Sequence, residues 1–329
     1  MKNVNTLFFA LSIALSIIAC KQEQKQTVEN YDTETSAKSD TSVVVKEDTT
    51  AMSSPQILED TVSYSKIILP AKGAKRDSLL KDFKSKYSAE EQYTILALNR
   101  LDKKNISRAD TLVVPKMFKD NFLAYSPFPQ QVEALSDVKK IVIFSYPIQA
   151  FAVYENGRQI KWGPTSMGKK SAQTKRGLMF TNWKKELAIS TVKSEWKLPY
   201  NFNIHNTLGI GWHQYDLPGY PASHSCLRLL EDDAKWLFAF ADQWILNKGG
   251  ATTKAKGTPV IVYGDWAWGK AKPWKSLDTD PKATDISEEE LTSIISEYKD
   301  QILEEQQNRE AVVGGMPQNK TAVKDSAKV

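Results

Sequence analysis

Residues 203–229 read NIHNTLGIGWHQYDLPGYPASHSCLRL, and the fold of the chain is organised around this stretch. It contains all three histidines of the protein, His205, His213 and His224, together with Cys226. A cysteine thiolate is a strong nucleophile, and an imidazole that takes the thiol proton increases its reactivity. The clustering therefore predicts a site in which a thiol nucleophile is paired with an imidazole base.

The other cysteine, Cys20, ends an apolar run at the N-terminus. Residues 1–20 read MKNVNTLFFALSIALSIIAC, in which a basic start precedes an apolar segment of signal-peptide length. This segment is shorter than the roughly 20 residues that a membrane span needs. Its ending resembles the lipobox of bacterial lipoproteins, which implies a signal peptide over 1–19 and a lipid anchor on Cys20. An ordinary cleaved signal and an uncleaved N-terminal anchor are the alternatives.

The lipoprotein interpretation has consequences for location and for Cys226. It places the protein in the cell envelope, on the periplasmic side, anchored to a membrane by lipid. Lipidation of Cys20 leaves no partner for an intramolecular disulfide, because the chain has only two cysteines. An unpaired cysteine in an exported protein indicates a reactive thiol, and a buried packing cysteine is the alternative.

Residues 20–61 are predicted to be a disordered tether. They are dominated by Lys, Gln, Glu, Asp, Ser and Thr and show no helical or strand periodicity. Such a segment does not bury enough apolar surface to offset the entropy lost on ordering. The tether is expected to let a membrane-anchored domain extend away from the membrane surface.

Residues 62–120 are predicted to form a small α/β module. Ser88 and Glu91 make a capping box, the signature of a helix N-terminus. The run 95–115 resembles the later half of a LysM repeat, which implies contact with glycan strands. A helical subdomain that packs on the next domain without a ligand is the alternative. The expected elements are strand Tyr64–Leu69, helices Asp77–Tyr87 and Ala89–Arg100, and strand Thr111–Pro115.

Residues 138–266 are predicted to form a mainly β domain with packed helices, an α+β fold. Asn156-Gly157 between two strand-like runs is a strong hairpin signal. Three acids at 231–233 begin a helix that is predicted to end at Gly249-Gly250. Residues 270–329 are expected to be a polar tail with one acidic helix, from Glu288 to about Ala311. The expected strands are Lys140–Ser145, Gln149–Glu155, Arg158–Pro164, Leu178–Trp183 and Pro259–Tyr263.

The order of these features resembles the L,D-transpeptidase (YkuD-type) catalytic domain of cell-wall enzymes, over roughly 138–263. The resemblance rests on hairpin strands, a Thr-Ser-x-Gly loop at 165–168, an isolated histidine after an extended segment, and Ser-His-x-Cys-x-Arg at 223–228 before an acid-started helix. It implies a β-sandwich or barrel catalytic domain with a cysteine nucleophile and no cofactor or metal. Ser225 stands where the family usually has glycine, so it is strained if a positive φ is needed there.

Spacing alone leaves His205 and His224 both open as the base for Cys226. The resemblance implies that His205 is the base, that the backbone carbonyl of Asn206 orients its ring, and that His224 lines the site. Backbone N–H groups around Ser225 and Cys226 are the expected donors to an oxyanion.

Further residues are expected to contact substrate. Arg228 suits a substrate carboxylate, which a guanidinium binds through two hydrogen bonds; an ion pair with Asp232 or Asp233 is the alternative. The insert between His205 and Cys226 is interpreted as a lid or substrate wall, with ordinary loop packing as the alternative. The expected contacts in and near this insert are Trp212, Tyr220 and Ser223.

The resemblance implies a transpeptidase that acylates Cys226 with a peptidoglycan stem peptide and passes the acyl group to an amine. Water as acceptor would make the same site an L,D-carboxypeptidase. A metal site built from the histidines and Cys226, and an inactive wall-binding lipoprotein, are two further alternatives. The net charge of +5 is spread among interspersed acids and bases, so no nucleic-acid partner is expected.

Overall fold

The computed structural model describes residues 62–190 and 193–315. The predicted signal peptide, the predicted lipidation site Cys20, the predicted tether over 20–61 and the last residues of the tail therefore lie outside the described residues. Within the described ranges, no helix is long and apolar enough to cross a membrane.

The first part of the described chain has the predicted strand-helix-helix-strand order. The capping box of Ser88 and Glu91 is present at the start of the second helix, which ends at Arg100 in the left-handed conformation. The two strands pair antiparallel, and a 3-10 helix at Asn105–Arg108 precedes the second strand. The elements are β1 (Tyr64–Ile68), α1 (Ala74–Lys86), α2 (Ala89–Asn99) and β2 (Thr111–Pro115).

This module packs on the domain that follows. Arg100 is buried, and its Nε donates a hydrogen bond to the carbonyl of Ile148 at 2.9 Å. Its guanidinium also contacts two tryptophan rings of the later chain, at 5.8 Å from the centroid of Trp162 and 5.0 Å from that of Trp274. Tyr93 on α2 donates from its hydroxyl to a carboxylate oxygen of Asp233 at 2.8 Å. The module therefore shares a core with the later domain.

A nine-stranded sheet is the main feature of the described chain. Its strand order is β6-β13-β3-β4-β5-β10-β9-β8-β7, and two of its neighbouring pairs, β3 with β13 and β9 with β10, are parallel. The predicted fold class, α+β with a large β domain, is confirmed. The strands are β3 (Ile141–Ser145), β4 (Ala150–Glu155), β5 (Arg158–Ser166), β6 (Gly177–Phe180), β7 (Lys184–Ile189), β8 (Lys197–His205), β9 (Ile210–Gln214), β10 (Leu227–Leu229) and β13 (Pro259–Tyr263).

The two halves of this sheet face each other across one apolar core. Val142, Phe144 and Phe151 from the first half share this core with Phe202 and Trp212 from the second. The ring centroids of Phe144 and Trp212 are 6.2 Å apart. A small pair, β11 (Ile245–Leu246) with β12 (Thr253–Ala255), follows helix α3 (Glu231–Phe240). Helix α3 thus ends earlier than predicted, because the chain turns extended at Ala241.

The C-terminal part corrects one prediction. The single acidic helix expected from Glu288 to Ala311 is two helices, α4 (Glu288–Ser296) and α5 (Lys299–Gly314). Their apolar residues Leu291, Ile295 and Ile302 are buried against the outer face of the central strands, where they form a second core. Strands β3 and β4 are consequently covered on both faces, which explains their almost continuous apolar sequence.

Candidate active site

Cys226 lines a cavity of about 40 Å³, called here the Cys226 cavity. Cys226 is a free, partly buried cysteine directly before β10. Four parts of the chain meet at the cavity: the end of β7 with the start of β8, strand β9, the loop after β9, and residues 223–228, called here the nucleophile segment. The lining residues are Ser190, Trp196, Leu198, His213, Tyr215, Ser223, His224, Cys226 and Arg228.

Strand pairing brings His213 to this cavity. Strands β9 and β10 are parallel neighbours in which Arg228 lies opposite His213 and Leu227 lies opposite Trp212. Side chains alternate between the faces of a strand, and paired residues share a face. Cys226, Arg228 and His213 therefore share one face, while Leu227 and Trp212 point into the core, where both are fully buried.

The prediction that His205 is the base does not fit this arrangement. His205 ends β8, and β9 lies between β8 and β10, so His205 is two strands away from the nucleophile segment. Its Nδ1 accepts a hydrogen bond from the N–H of Leu208, and its Nε2 lies 3.1 Å from Nζ of Lys175. Asn206 does not orient a catalytic ring either, because its carbonyl accepts from Gly209 within the turn.

The ring geometry expected at His205 occurs at His213. Nδ1 of His213 lies 2.9 Å from the carbonyl oxygen of Gln214, the next residue. A carbonyl only accepts, so Nδ1 carries the proton and Nε2 carries the free lone pair. Burial lowers the pKa of His213 to about 4, and the charge of Arg228 acts in the same direction. His213 is therefore a neutral, oriented imidazole at neutral pH, able to accept a proton at Nε2.

The thiol of Cys226 is also neutral at rest. Burial raises the pKa of Cys226, while the backbone amide of Gly211 and the charge of Arg228 act in the opposite direction. A side chain at Gly211 would be only 2.5 Å from the carbonyl oxygen of Phe202, so the strand needs glycine there. A neutral thiol beside a neutral imidazole becomes a nucleophile only when the proton moves between them.

The turn before Cys226 has the strained backbone that the sequence predicted. Ser225 has a φ of +83°, in the region that favours glycine. The hydroxyl of Ser223, which is buried, donates to the carbonyl oxygen of Cys226 at 2.5 Å. Among the described residues, no group accepts a hydrogen bond from the backbone N–H of Ser225 or Cys226. Backbone N–H groups at this turn are the expected donors to an oxyanion.

His224 lies at the mouth of the cavity and is exposed. Its ring packs on Trp196 with centroids 4.9 Å apart, and its Nε2 lies 2.8 Å from Nζ of Lys169. Desolvation, followed by the charges of Lys169 and Arg228, lowers the pKa of His224. His224 thus lines the site, where desolvation and the cations around it disfavour its protonated form.

Arg228 forms no ion pair with Asp232 or Asp233. Asp233 is instead bound by Lys161, whose Nζ is 2.8 Å from a carboxylate oxygen. The guanidinium of Arg228 lies 4.6 Å from the ring centroid of Tyr215, and Nη1 donates to the carbonyl of Asp216 at 3.3 Å. With no described carboxylate bound to it, Arg228 presents a positive charge to the Cys226 cavity.

The predicted substrate contacts have three different outcomes. Ser223 lines the cavity. Trp212 does not contact substrate, because its side chain is fully buried and packs on Phe202 with ring centroids 5.3 Å apart. Tyr220 is half exposed and lines a separate cavity with Lys272 and Trp274.

His213 and Tyr215 are the site residues that sequence reasoning missed. The sequence places residues 210–214 in the insert before Cys226, whereas they form β9. The signal was present: apolar Ile210 and Trp212 alternate with Gly211 and His213, the period of a strand. Among the described residues, no group of three or more His, Cys, Asp or Glu side chains is arranged to hold a metal ion.

An L,D-transpeptidase catalytic domain (YkuD) is found at residues 139–262 by comparison with family models. This match contains β9, the connecting loop and the nucleophile segment, and so includes His213 and Cys226. No curated protein matches the chain in sequence.

Solved structures of L,D-transpeptidases also match the chain. An enzyme from Stackebrandtia nassauensis is 26% identical over 39% of this chain and 57% of its own, with a TM-score of 0.32. L,D-transpeptidase 1 of Mycobacterium tuberculosis is 23% identical over 38% and 62%, with a TM-score of 0.29. One from Mycobacterium smegmatis is 19% identical over 38% and 59%, with a TM-score of 0.31. The chain thus spans about 60% of the length of these proteins.

Proposed function

We propose that this protein is a cysteine L,D-transpeptidase of peptidoglycan in which Cys226 is the nucleophile and His213 is the general base. The observation that carries the proposal is that Cys226 and His213 line one cavity on the same face of paired strands. The L,D-transpeptidase catalytic domain at residues 139–262 supports the substrate class. His205, the base expected from the sequence, is replaced in this role by His213.

The first half-reaction forms a thioester. Nε2 of His213 takes the thiol proton as the sulfur of Cys226 attacks the carbonyl carbon of a peptide bond between an L-centre and a D-centre of a stem peptide. The backbone N–H groups of Ser225 and Cys226 stabilise the oxyanion that develops. The imidazolium then donates its proton to the leaving nitrogen, the C–N bond breaks, and the terminal D-residue departs as an amine.

The second half-reaction transfers the acyl group. An amine from a second stem peptide attacks the thioester carbonyl, and His213 accepts a proton from it. The carbon–sulfur bond breaks and the thiolate recovers that proton. Arg228 binds a carboxylate of the stem peptide, which positions the reacting carbonyl over the sulfur. Because His213 is neutral at rest, it serves as base in both half-reactions without first losing a proton.

Intact-mass measurement after exposure to imipenem tests the nucleophile. Imipenem is in complex with a solved L,D-transpeptidase. Its β-lactam carbonyl is an electrophile that a thiolate can attack, which opens the ring and leaves the sulfur acylated. We expect one covalent adduct on the parent protein and none on Cys226→Ser. An adduct that persists in Cys226→Ser, or a parent that takes up none, would overturn the assignment of Cys226.

We also propose that the protein is exported and lipid-anchored through Cys20. The basic start, the apolar run and the cysteine at its end support this. Mass spectrometry of the protein purified from membranes tests it: an N-terminal acylated Cys20 is expected, and a Cys20→Ala variant should be released into the soluble fraction. An unmodified Cys20 in the mature protein would contradict it.

A further inference from the structure

The loop that joins β9 to the nucleophile segment, residues 215–222, connects the base to Cys226. Its first two residues hold Arg228, because the ring of Tyr215 lies under the guanidinium and the carbonyl of Asp216 accepts from Nη1 at 3.3 Å. The position of the cationic group in the Cys226 cavity therefore depends on where this loop lies.

The loop is held from its other side by Asp102 of the preceding module. Oδ2 of Asp102 accepts a hydrogen bond from the N–H of Leu217 at 2.6 Å, and the N–H of Asp102 donates to the carbonyl of Leu217 at 3.1 Å. Leu101 and Pro218 continue this contact as an isolated antiparallel bridge. Because Asp102 accepts from the N–H of Leu217 and also donates to its carbonyl, the pair of hydrogen bonds fixes both the position and the orientation of Leu217.

Asp102 is itself held rigidly. Its Oδ1 accepts from the N–H of Asn105 at 2.7 Å, and its Oδ2 accepts from Nδ2 of Asn105 at 2.8 Å. A carboxylate that accepts several N–H bonds makes stronger hydrogen bonds than a neutral acceptor does. The module thus holds the carboxylate of Asp102 against Leu217. Leu217 directly follows the two loop residues that contact Arg228.

We propose that Asp102 is a positioning residue for the active site: it anchors the loop at Leu217 and thereby sets the place of Arg228 in the Cys226 cavity. The module at residues 62–120 then contributes to the reaction through this contact. That Arg228 grips a substrate carboxylate rests on the proposed function; that Asp102 positions Arg228 rests on the contacts alone.

Competition between an anionic and a neutral alkylating reagent tests this proposal. Iodoacetate and iodoacetamide both form a carbon–sulfur bond with Cys226, release iodide and leave the thiol proton to base or solvent. Only iodoacetate carries a carboxylate that Arg228 attracts. The ratio of the two rate constants therefore reports where the guanidinium lies relative to the sulfur, independently of any peptidoglycan substrate.

We expect Asp102→Ala to lower the iodoacetate-to-iodoacetamide ratio by about three- to tenfold, the size of a partly lost charge-assisted contact. Arg228→Gln should lower it at least as much, and adding Asp102→Ala to Arg228→Gln should lower it no further. Asp102→Asn, which keeps one acceptor oxygen and the size of the side chain, should have an intermediate ratio.

Two matched variants separate positioning from module stability. Lys104→Ala removes the exposed ion pair between Lys104 of the module and Asp216 of the loop. It should leave the iodoacetate-to-iodoacetamide ratio unchanged. Arg76→Ala weakens the module, because Arg76 holds the carbonyls of Pro70, Ser107 and Ala109, but it does not contact the loop. It should lower thermal stability and keep the parent ratio.

The proposal is overturned if Asp102→Ala and Asp102→Asn both keep the parent ratio, if they slow both reagents equally, or if their effect adds fully to that of Arg228→Gln. With a stem-peptide substrate, Asp102→Ala should raise KM several-fold more than it lowers kcat. A reduced alkylation ratio in a protein that shows no transpeptidation would support the role of Asp102 and contradict the proposed function instead.

Discussion

His205 and His213 lie on neighbouring strands, yet their surroundings differ in every respect that matters for proton transfer. His205 is partly buried at the end of β8, and its two ring nitrogens contact Leu208 and Lys175. His213 is buried near the end of β9, has Nδ1 on the carbonyl of Gln214, and lines the Cys226 cavity. The difference teaches that the order of strands in the sheet decides which of the two histidines lies next to the thiol.

The largest expected effect is the loss of acylation rate when His213 is removed, and it tests the comparison of the two histidines directly. Without His213, the thiol proton of Cys226 loses the buried imidazole that is oriented by the carbonyl of Gln214, whereas Nε2 of His224 is engaged by Lys169. General base catalysis contributes about 10²- to 10⁴-fold. We expect His213→Ala to slow imipenem acylation by that factor and His205→Ala to change it less than about threefold. Stopped-flow or quenched mass measurements supply the rates. Equal losses in the two variants would mean that the strand argument is wrong.

A second effect concerns stability at low pH. Burial lowers the pKa of His213 to about 4 in the folded protein, below its usual 6.5. Between these values the unfolded chain binds a proton that the folded protein does not, so stability is lost as pH falls from about 6.5 to about 4. From this difference we expect a contribution of about 3 kcal/mol to the free energy of unfolding at neutral pH.

Urea unfolding of the parent and of His213→Gln over this pH range measures that contribution. The parent should lose about 3 kcal/mol more than the variant between pH 6.5 and pH 4. Glutamine is the matched control because it is similar in size and does not titrate. Parallel pH profiles of the two proteins would show that His213 is not held neutral by burial.

A smaller effect concerns the strained turn next to the nucleophile. A non-glycine residue at positive φ costs about 1–3 kcal/mol, partly offset by the extra freedom that glycine gives the unfolded chain. We expect Ser225→Gly to raise the free energy of unfolding by about 1 kcal/mol and to preserve acylation of Cys226. Ser225→Ala keeps the strain and should show no such gain, and a gain of equal size in both variants would contradict the strain argument.

The smallest expected effect is on the acylation rate when the surroundings of His205 are changed. Removing the ammonium beside Nε2 in Lys175→Met changes the surroundings of His205 but leaves the Cys226 cavity intact. Imipenem acylation should change less than about twofold, as expected for an exposed charge distant from the reaction. A drop comparable to that of His213→Ala would return His205 to the reaction.

Local signals in the sequence predicted much of the fold. The Asn156-Gly157 hairpin between β4 and β5, the Ser88–Glu91 capping box and the acidic start of α3 are all present, because each depends only on neighbouring residues. The two-helix C-terminal part was predicted as one helix, since the break between Ser296 and Lys299 carries no glycine or proline signal.

The motif at 223–228 was enough to propose Cys226 as the nucleophile and to expect strain at Ser225 if its φ is positive. The histidine now proposed as the base was not predictable, because that proposal depends on β9 lying between β8 and β10, a non-local pairing. Asp102 was not predictable for the same reason: it is far from the loop in sequence and meets Leu217 only through the packing of the module.

Chemical rescue tests the assignment of the base most directly. His213→Gly leaves a hole the size of an imidazole beside Cys226, so added imidazole can occupy it and accept the thiol proton. We predict that imidazole restores imipenem acylation of His213→Gly with saturation, while His205→Gly acylates at the parent rate and does not respond. Acylation of His213→Gly at the parent rate without imidazole, or rescue by imidazole in His205→Gly instead, would contradict the account.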